Sequence, residues 1–208
     1  MAVTDDESGR FRQRRRTRAA IVAAAAELLR AGHTPSMTEV AEAADVSRRT
    51  AYLYFPTIEQ LLLDATVGML SQTRVDEAIE AADTPDGDAT ERVAAMIWAL
   101  GDVSAETMAL GRSLIRLTVE APPAAGDGAT APRRGYRRIA WVERSLEPLR
   151  DQLDPAAFER LVSALAMVVG WEALVVLQDL RGLAPGDQVE TSLWAAGALI
   201  RAALDEQA

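Results

Sequence analysis

Residues 36–55 of this chain, SMTEVAEAADVSRRTAYLYF, decide its fold because they contain two short helical patterns joined by a tight turn. Ser36 and Glu39 form a capping-box pattern in front of a short apolar set, which predicts a helix of two turns. A second short helix is expected from the N-cap residue Ser47 to about Tyr54. Two such helices bury little surface by themselves, so the pattern requires support from another helix.

The supporting helix is predicted immediately upstream, from about Arg12 to Ala31. Ile21 and Leu28 lie on one apolar face of it, and Gly32 follows where a helix C-terminus favours a left-handed residue. The three helices together predict a helix-turn-helix in which the second short helix projects into a DNA major groove. The expected domains are residues 1–55, with the basic N-terminal arm, and residues 56–208.

The charge distribution agrees with this division. Residues 1–55 carry nine arginines and seven acidic residues, a net charge of +2, which leaves −11 for the other 153 residues of a chain with net charge −9. Phosphate attraction is screened within about 8 to 10 Å at physiological salt, so the charge of each segment matters more than the total. A basic head on an acidic body is the pattern expected of a DNA-binding protein whose body avoids DNA.

Candidate DNA contacts follow from side-chain chemistry. Arg48 and Arg49 are predicted to read bases, since arginine bonds guanine bidentately, and Thr50 is expected to touch a thymine methyl or a phosphate. Further contacts from the exposed side of the helix-turn-helix, several of them to phosphate, are predicted at Ser36, Thr38, Ser47, Tyr52, Leu53 and Tyr54. The arginine-rich segment 10–18 is expected to begin as a flexible arm that follows phosphates or enters the minor groove, or else to be a solvated tail. Its candidate contacts are Arg14, Arg15, Arg16 and Arg18.

At this point the sequence resembles the TetR family of one-component bacterial regulators. The matching residues are Val40, Ala41, Val46, Ser47, Thr50, Tyr52, Tyr54, Phe55, Glu59 and Leu61. Three positions depart from the family pattern: Asp45 replaces a glycine, Ile58 a phosphate-contacting lysine, and Arg49 a small residue. The resemblance implies that residues 66–208 form a ligand-binding and dimerising domain whose last two helices pair with their twofold copies.

Helical patterning also dominates the rest of the chain, which predicts an all-α fold of about nine helices. Loops are expected at residues 83–88 and 121–132. The last three helices are expected from about Arg133 to Leu153, from Pro155 to Arg181 and from Asp187 to Glu206. The second of these is apolar almost all round and the third carries an apolar stripe with small residues, so we expect both to pack against a second subunit. The residues concerned are Leu161, Val162, Leu165, Val168, Val169, Leu174, Val175 and Leu177, then Leu193, Ala196, Gly197, Ile200, Ala203 and Leu204.

A pocket for a small-molecule effector is expected among the middle helices. Its candidate lining residues are Met96, Trp98, Met108, Arg112, Arg116, Trp141, Met167, Trp171 and Glu172. Core packing is the competing interpretation for the methionines and tryptophans, and surface pairing is the competing interpretation for the arginines. Glu172 stands on an otherwise apolar stretch, so it requires either an ion-pair partner or a ligand.

Several function classes find no support in the composition. The chain has no cysteine and a single histidine, His33, so neither a thiolate or multi-histidine metal site nor a histidine triad is expected, and no cofactor is predicted. No run approaches the roughly 18 apolar residues that span a bilayer, and no signal sequence is recognisable, so we expect a cytoplasmic protein without a membrane partner.

The helix-turn-helix thus predicts a DNA-binding regulator, and the resemblance implies a homodimeric, ligand-responsive repressor of a palindromic operator. The alternatives are a DNA-binding structural protein that responds to no ligand and, with less support, an all-α enzyme that contains a helix-turn-helix.

Overall fold

The computed structural model describes residues 5–84, 87–120 and 136–207, with side chains from residue 13 onwards except at position 105. Within these ranges the chain is all-α and contains no strand, which confirms the predicted fold class. The α-helices are α1 (Asp5–Arg30), α2 (Met37–Ala43), α3 (Arg48–Tyr54), α4 (Ile58–Ala81), α5 (Ala89–Glu120), α6 (Tyr136–Ser145), α7 (Pro155–Val168), α8 (Trp171–Arg181) and α9 (Pro185–Asp205). One turn of 3-10 helix, Glu147–Leu149, follows α6.

The chain divides into two compact units. The head unit contains residues 5–69, 113–120 and Tyr136, and the body unit contains residues 70–84, 87–112 and 137–207. These limits differ from the predicted domains 1–55 and 56–208, because Leu61 and Ala65 of α4 are fully buried in the core of the head. The first turns of α4 therefore fold with the helix-turn-helix.

The core of the head unit is formed by α1, α2, α3 and the start of α4. Four side chains are completely buried there: Ile21 of α1, Val40 of α2, Ala51 of α3 and Phe55, the residue that follows α3. Asp45, in the turn between α2 and α3, adopts the left-handed conformation with φ 52°. Aspartate tolerates this conformation better than most residues because its short polar side chain can bond locally, which explains why the turn forms without glycine.

The core of the body unit combines residues of α4, α5, α6, α7 and α9, and α7 packs against α9. The apolar stripes that were expected to meet a second subunit are largely part of this core. Leu161, Val162, Leu165, Ala196, Ile200 and Ala203 are all buried within the single chain. The prediction that these six residues pack against a second subunit is wrong, since neighbouring helices of the same chain cover them.

Two predicted helices are shorter in the structure. The helix expected from Arg133 to Leu153 is observed from Tyr136 to Ser145, and its predicted start and the loop at 121–132 lie outside the described residues. The helix expected from Pro155 to Arg181 is interrupted at Gly170, which has φ 103° and ψ −178°. This conformation is accessible almost only to glycine, so the apolar pattern continues while the backbone turns.

In the part of the chain that the structure describes, no single helix is long and apolar enough to cross a membrane. Two helix pairs reach the required length and hydropathy together, Ala89–Ser104 with Glu106–Glu120 and Pro155–Val168 with Trp171–Arg181, but the pairs bend by 89° and 46°.

Candidate nucleic-acid interface

The second short helix of the head, α3, presents the candidate base-reading residues. The Ser47 hydroxyl accepts a hydrogen bond from the Thr50 backbone N–H at 3.0 Å, so the predicted N-cap is observed. Ala51 is fully buried one turn further on, which fixes the inner face of the helix. Arg48, Arg49 and Leu53 consequently lie on the exposed face, where a duplex can approach them.

Arg48 is held in place by an aromatic ring on its own helix. Its guanidinium carbon lies 5.5 Å from the centroid of the Tyr52 ring, four residues further along α3. A cation–π contact of this kind restricts the arginine side chain while leaving its N–H groups available to an acceptor. The Tyr52 side chain remains 42% exposed, so its hydroxyl is also accessible to a phosphate oxygen.

Two predicted contacts on α3 are less accessible than expected. Tyr54 is half-buried and packs against the head core, so it does not share the exposed face with Arg48 and Arg49. Thr50 is also half-buried, and its hydroxyl lies 2.7 Å from the Ser47 hydroxyl. Helical periodicity places Tyr54 three residues from Ala51, on the same side of α3, which accounts for the difference.

The N-terminus of α2 carries the predicted capping box. The Ser36 N–H donates to Glu39 Oε2 at 2.8 Å, and the Ser36 hydroxyl lies 3.3 Å from the Glu39 N–H and 2.7 Å from Glu39 Oε2. The backbone hydrogen bond from Ser36, followed by its hydroxyl and by His33, lowers the pKa of Glu39 from 4.5 to about 2. A carboxylate this close disfavours a phosphate contact by Ser36, whereas Thr38 is exposed.

Sequence reasoning did not find the role of His33. Its Nε2 lies 2.9 Å from Glu39 Oε1, so the side chain extends the polar cluster at the start of α2. A signal was present, since His33 directly follows Gly32, whose φ of 79° turns the chain at the end of α1. That turn lets residue 33 approach the next helix N-terminus.

The arginine-rich segment is helical rather than extended. α1 begins at Asp5, so the flexible arm predicted for residues 10–18 is not observed. Arg16 is exposed, and Arg14 and Arg15 are half-buried. These three remain candidates for contacts along the phosphate backbone.

Arg18 has a different environment from the rest of that segment. It is only 2% exposed and pairs with Asp64 of α4, at 3.1 Å between Nη2 and Oδ2. The predicted phosphate contact by Arg18 is therefore wrong in this structure. A pattern of arginines spaced along a helix cannot show that one of them meets a carboxylate 46 residues later in the chain.

The candidate effector residues are engaged in separate contacts. Met96 is fully buried in the body core, whereas Trp98 and Met167 are 47% and 73% exposed. Met108 is half-buried, Arg116 pairs with Glu120, and the Trp141 indole N–H donates to Asp76 at 2.9 Å. These observations favour the core-packing interpretation for Met96 and the pairing interpretation for Arg116.

Three of those residues lie where α5, α6 and α8 meet in the body unit. Trp171 packs against Gly111, at which a side chain would collide with the indole ring. Glu172 pairs with Arg138 at 2.7 Å, so an ion pair satisfies the carboxylate that stood out in the sequence. Arg112 donates to Asp179, a hydrogen bond that lowers the pKa of the aspartate and raises that of the arginine.

Among the described residues, no group of three or more histidine, aspartate or glutamate side chains is placed to hold a metal ion.

Two short capped helices on a common core, with an exposed arginine pair on the second, define a helix-turn-helix DNA-binding regulator. Residues 21–65 match the family model for bacterial regulatory proteins of the tetR family. The head of the chain is therefore similar to the DNA-binding domain of tetR-family regulators, which supports a DNA-binding transcriptional regulator. The matched residues cover the helix-turn-helix and the first turns of α4, and the body lies beyond them. Comparisons with curated proteins and with solved structures found no significant match.

Proposed function

We propose that this DNA-binding regulator is a homodimeric, ligand-responsive repressor that occupies a palindromic operator in the cytoplasm. The observation that carries the proposal is the exposed pair Arg48 and Arg49 at the N-terminal end of a capped recognition helix, α3. In helix-turn-helix proteins the N-terminal residues of this helix contact base edges. A pair of arginines there favours a half-site that contains guanine.

The remaining exposed residues of α3 extend that reading. The Leu53 side chain is 52% exposed and offers an apolar surface to a thymine methyl group. Tyr52 supports Arg48 from the side and can donate its hydroxyl to a phosphate oxygen. The recognition helix thus combines base contacts with a positioning contact, as a sequence-specific protein requires.

Dimerisation is proposed through α8 and α9, with a contribution from α7. Four large apolar side chains on these helices are more than half exposed: Met167, Val176, Leu180 and Trp194. A contiguous exposed apolar patch is typical of an interaction surface, and we propose that these four side chains contribute to one. A second copy of the chain is the proposed occupant, because a twofold operator requires two recognition helices about 34 to 36 Å apart.

The regulatory part of the proposal concerns an effector bound in the body unit. Linkage requires that the effector bind the DNA-free conformation more tightly than the DNA-bound one. A change of roughly 100-fold in operator affinity corresponds to about 2.7 kcal/mol of differential binding. Repression is the simplest sign of regulation for such a protein, since occupancy of an operator excludes other proteins from it.

The test begins with selection of bound duplexes from a random double-stranded DNA library by the full-length protein. We expect enrichment of an inverted repeat, and a hydroxyl-radical footprint with two protected patches one helical turn or a multiple of it apart. Failure to enrich any sequence would contradict the proposal of an operator. A thermal-shift screen of metabolites, followed by release of the selected duplex, then tests the effector. If no compound releases DNA, the ligand-independent DNA-binding protein becomes the better description.

A further inference from the structure

The most unusual polar group of the head unit is the guanidinium of Arg18. Besides its pair with Asp64 of α4, its Nη1 donates to the backbone carbonyl oxygen of Tyr54 at 3.0 Å. Its central carbon lies 4.0 Å from the centroid of the Phe55 ring and 5.8 Å from that of Tyr136. A single side chain of α1 therefore contacts the end of α3, the face of α4 and the first residue of α6.

The carbonyl of Tyr54 is the last of the recognition helix, since α3 ends at this residue. The last carbonyls of a helix have no partner within the helix and carry its partial negative charge. A guanidinium suits this position, because its planar fork can bond the carbonyl and a carboxylate at the same time. Lysine, a single point charge, cannot reproduce that geometry.

Stability alone does not explain why these charges are buried. Arg18 and Asp64 are 2% and 3% exposed, so both have lost most of their hydration. Replacing a buried ion pair by apolar residues of similar volume is often neutral or stabilising, whereas removing one partner is costly. What an apolar contact would not reproduce is the hydrogen bond from Arg18 to the Tyr54 carbonyl.

We propose that Arg18 is a positioning residue for operator binding, which holds the C-terminal end of α3 in a fixed orientation against α4. This rests on the proposed function, since it concerns the same recognition helix. Arg18 acts through the Tyr54 carbonyl and does not itself touch DNA.

A second buried contact also fixes α4 within the head unit. Gln60 lies one turn before Asp64, and its Nε2 donates to the Thr118 hydroxyl of α5 at 3.3 Å. The Thr118 hydroxyl in turn donates to the Leu114 carbonyl at 2.7 Å. Within the head unit, α4 is thus bonded to the end of α5 at Gln60 and to the end of α3 through Arg18. These contacts hold the first turns of α4 between the end of α3 and the end of α5.

The experiment compares operator binding with stability in a variant that keeps the volume of the pair. The probes are a duplex selected by the parent protein and a scrambled duplex of the same composition. In the double variant Arg18→Met/Asp64→Leu we expect a melting temperature close to that of the parent. Affinity for the selected duplex should fall about tenfold, as expected for a residue that acts on a binding site without touching the ligand. Affinity for the scrambled duplex and its salt dependence should stay unchanged.

Two single variants complete the design. Arg18→Lys keeps the charge beside Asp64 but lacks the planar fork whose two ends bond Asp64 and the Tyr54 carbonyl, so it should lose selected-duplex affinity in the same way. If the double variant melts well below the parent, Arg18→Lys is the variant that tests the proposal. Arg30→Met, at an exposed arginine in the last turn of α1, is the matched control, and it should leave the ratio of selected to scrambled affinity unchanged.

Three results would overturn the proposal. Parental affinity of either Arg18 variant for the selected duplex would show that the pair has only a structural role. A fall in scrambled-duplex affinity with a salt slope lower by about 1 would identify Arg18 as a phosphate contact. Loss of both DNA affinities in a folded protein would show a general disruption of the head. Failure of the parent to select any duplex would instead contradict the proposed function itself.

Discussion

Polar side chains at the candidate DNA-binding face of the head differ in their contacts from most polar side chains of the body. In the head, Ser36 and Ser47 cap the helices whose ends form the candidate DNA-binding face. In the body, arginines pair with carboxylates of neighbouring helices, as in Arg138 with Glu172 and Arg144 with Asp76. The same residues therefore determine fold and function in the head, whereas polar residues of the body largely satisfy one another. This is why the sequence indicates a DNA-binding site more clearly than an effector site.

The largest expected effect concerns the apolar surface of the body. In Trp194→Glu a charge replaces a tryptophan that is 73% exposed, so the subunit should fold but not dimerise. Operator affinity should fall by about 10²- to 10⁴-fold, because two linked half-site contacts become one. Analytical ultracentrifugation and binding to the selected duplex measure the two effects. Trp98→Glu, at an exposed tryptophan of α5, is the control, and a Trp194→Glu dimer would contradict the proposed interface.

The break between α7 and α8 tests whether the body depends on backbone conformation. Gly170→Ala should destabilise the body unit by about 1–3 kcal/mol, since alanine is strained at φ 103° and its Cβ would approach the Arg138 guanidinium. All four tryptophans lie in the body unit, so urea unfolding followed by tryptophan fluorescence reports on it. Gly186→Ala, at an open helical position, should be neutral or slightly stabilising. Equal stability of Gly170→Ala and the parent would show that the turn does not need glycine.

A smaller effect is expected at the cap of α2. Ser36→Ala should lower the stability of the head by about 1 kcal/mol, through loss of the N-cap hydrogen bond. Amide hydrogen exchange of residues 37–43 measures this locally. Ser163→Ala on α7 is the control, because its hydroxyl bonds a carbonyl of its own helix. Unchanged exchange in Ser36→Ala would contradict a stabilising cap.

The same cap predicts a dependence on pH. The pKa of Glu39 is about 2 in the folded protein and 4.5 ordinarily, so its contribution is present above pH 4.5 and is lost as the pH falls towards 2. Glu39→Gln should flatten this part of the head's stability profile. If the stability of the Glu39→Gln head depends on pH as it does in the parent, Glu39 is not the cause of that dependence.

The smallest effect is expected at the turn between α2 and α3. Asp45→Gly removes the backbone strain of the left-handed conformation but raises the conformational entropy of the unfolded chain. These two effects oppose each other, so the free energy of unfolding should change by less than about 0.5 kcal/mol. Alanine has neither the freedom of glycine at positive φ nor the polar side chain of aspartate, so Asp45→Ala should lower the free energy of unfolding by about 1 kcal/mol. Denaturant unfolding followed by circular dichroism compares the two. A large loss in Asp45→Gly would mean that the carboxylate itself holds the turn.

Much of the head follows from its sequence because the decisive interactions are local. Ser36, Glu39 and Ser47 lie within three residues of the groups they bond, so their spacing alone predicts α2 and α3. The inward position of Ala51 and the outward position of Arg48 follow from helical periodicity. The family resemblance added the interpretation as a regulator, which the family match supports.

The remaining features depend on contacts between distant residues. Arg18 meets Asp64 only after α1 and α4 pack together, so within its own segment it looked like another solvated arginine. Gly170 interrupts a continuous apolar pattern. Such a pattern fits one long helix or two shorter ones equally well, so the sequence did not predict the break. The apolar stripes of α7 and α9 were correctly expected to be buried, but periodicity cannot show whether the partner helix belongs to the same chain.

The central claim is that α3 reads DNA sequence through Arg48 and Arg49. The direct test is the ratio of affinities for the selected and scrambled duplexes in the double variant Arg48→Ala/Arg49→Ala. Two lost bidentate contacts to guanine should reduce this ratio by at least about 30-fold. Arg160→Ala/Arg201→Ala, which removes the same charge from exposed sites of the body, should leave it unchanged. A parental ratio in the Arg48 and Arg49 variant would contradict the account.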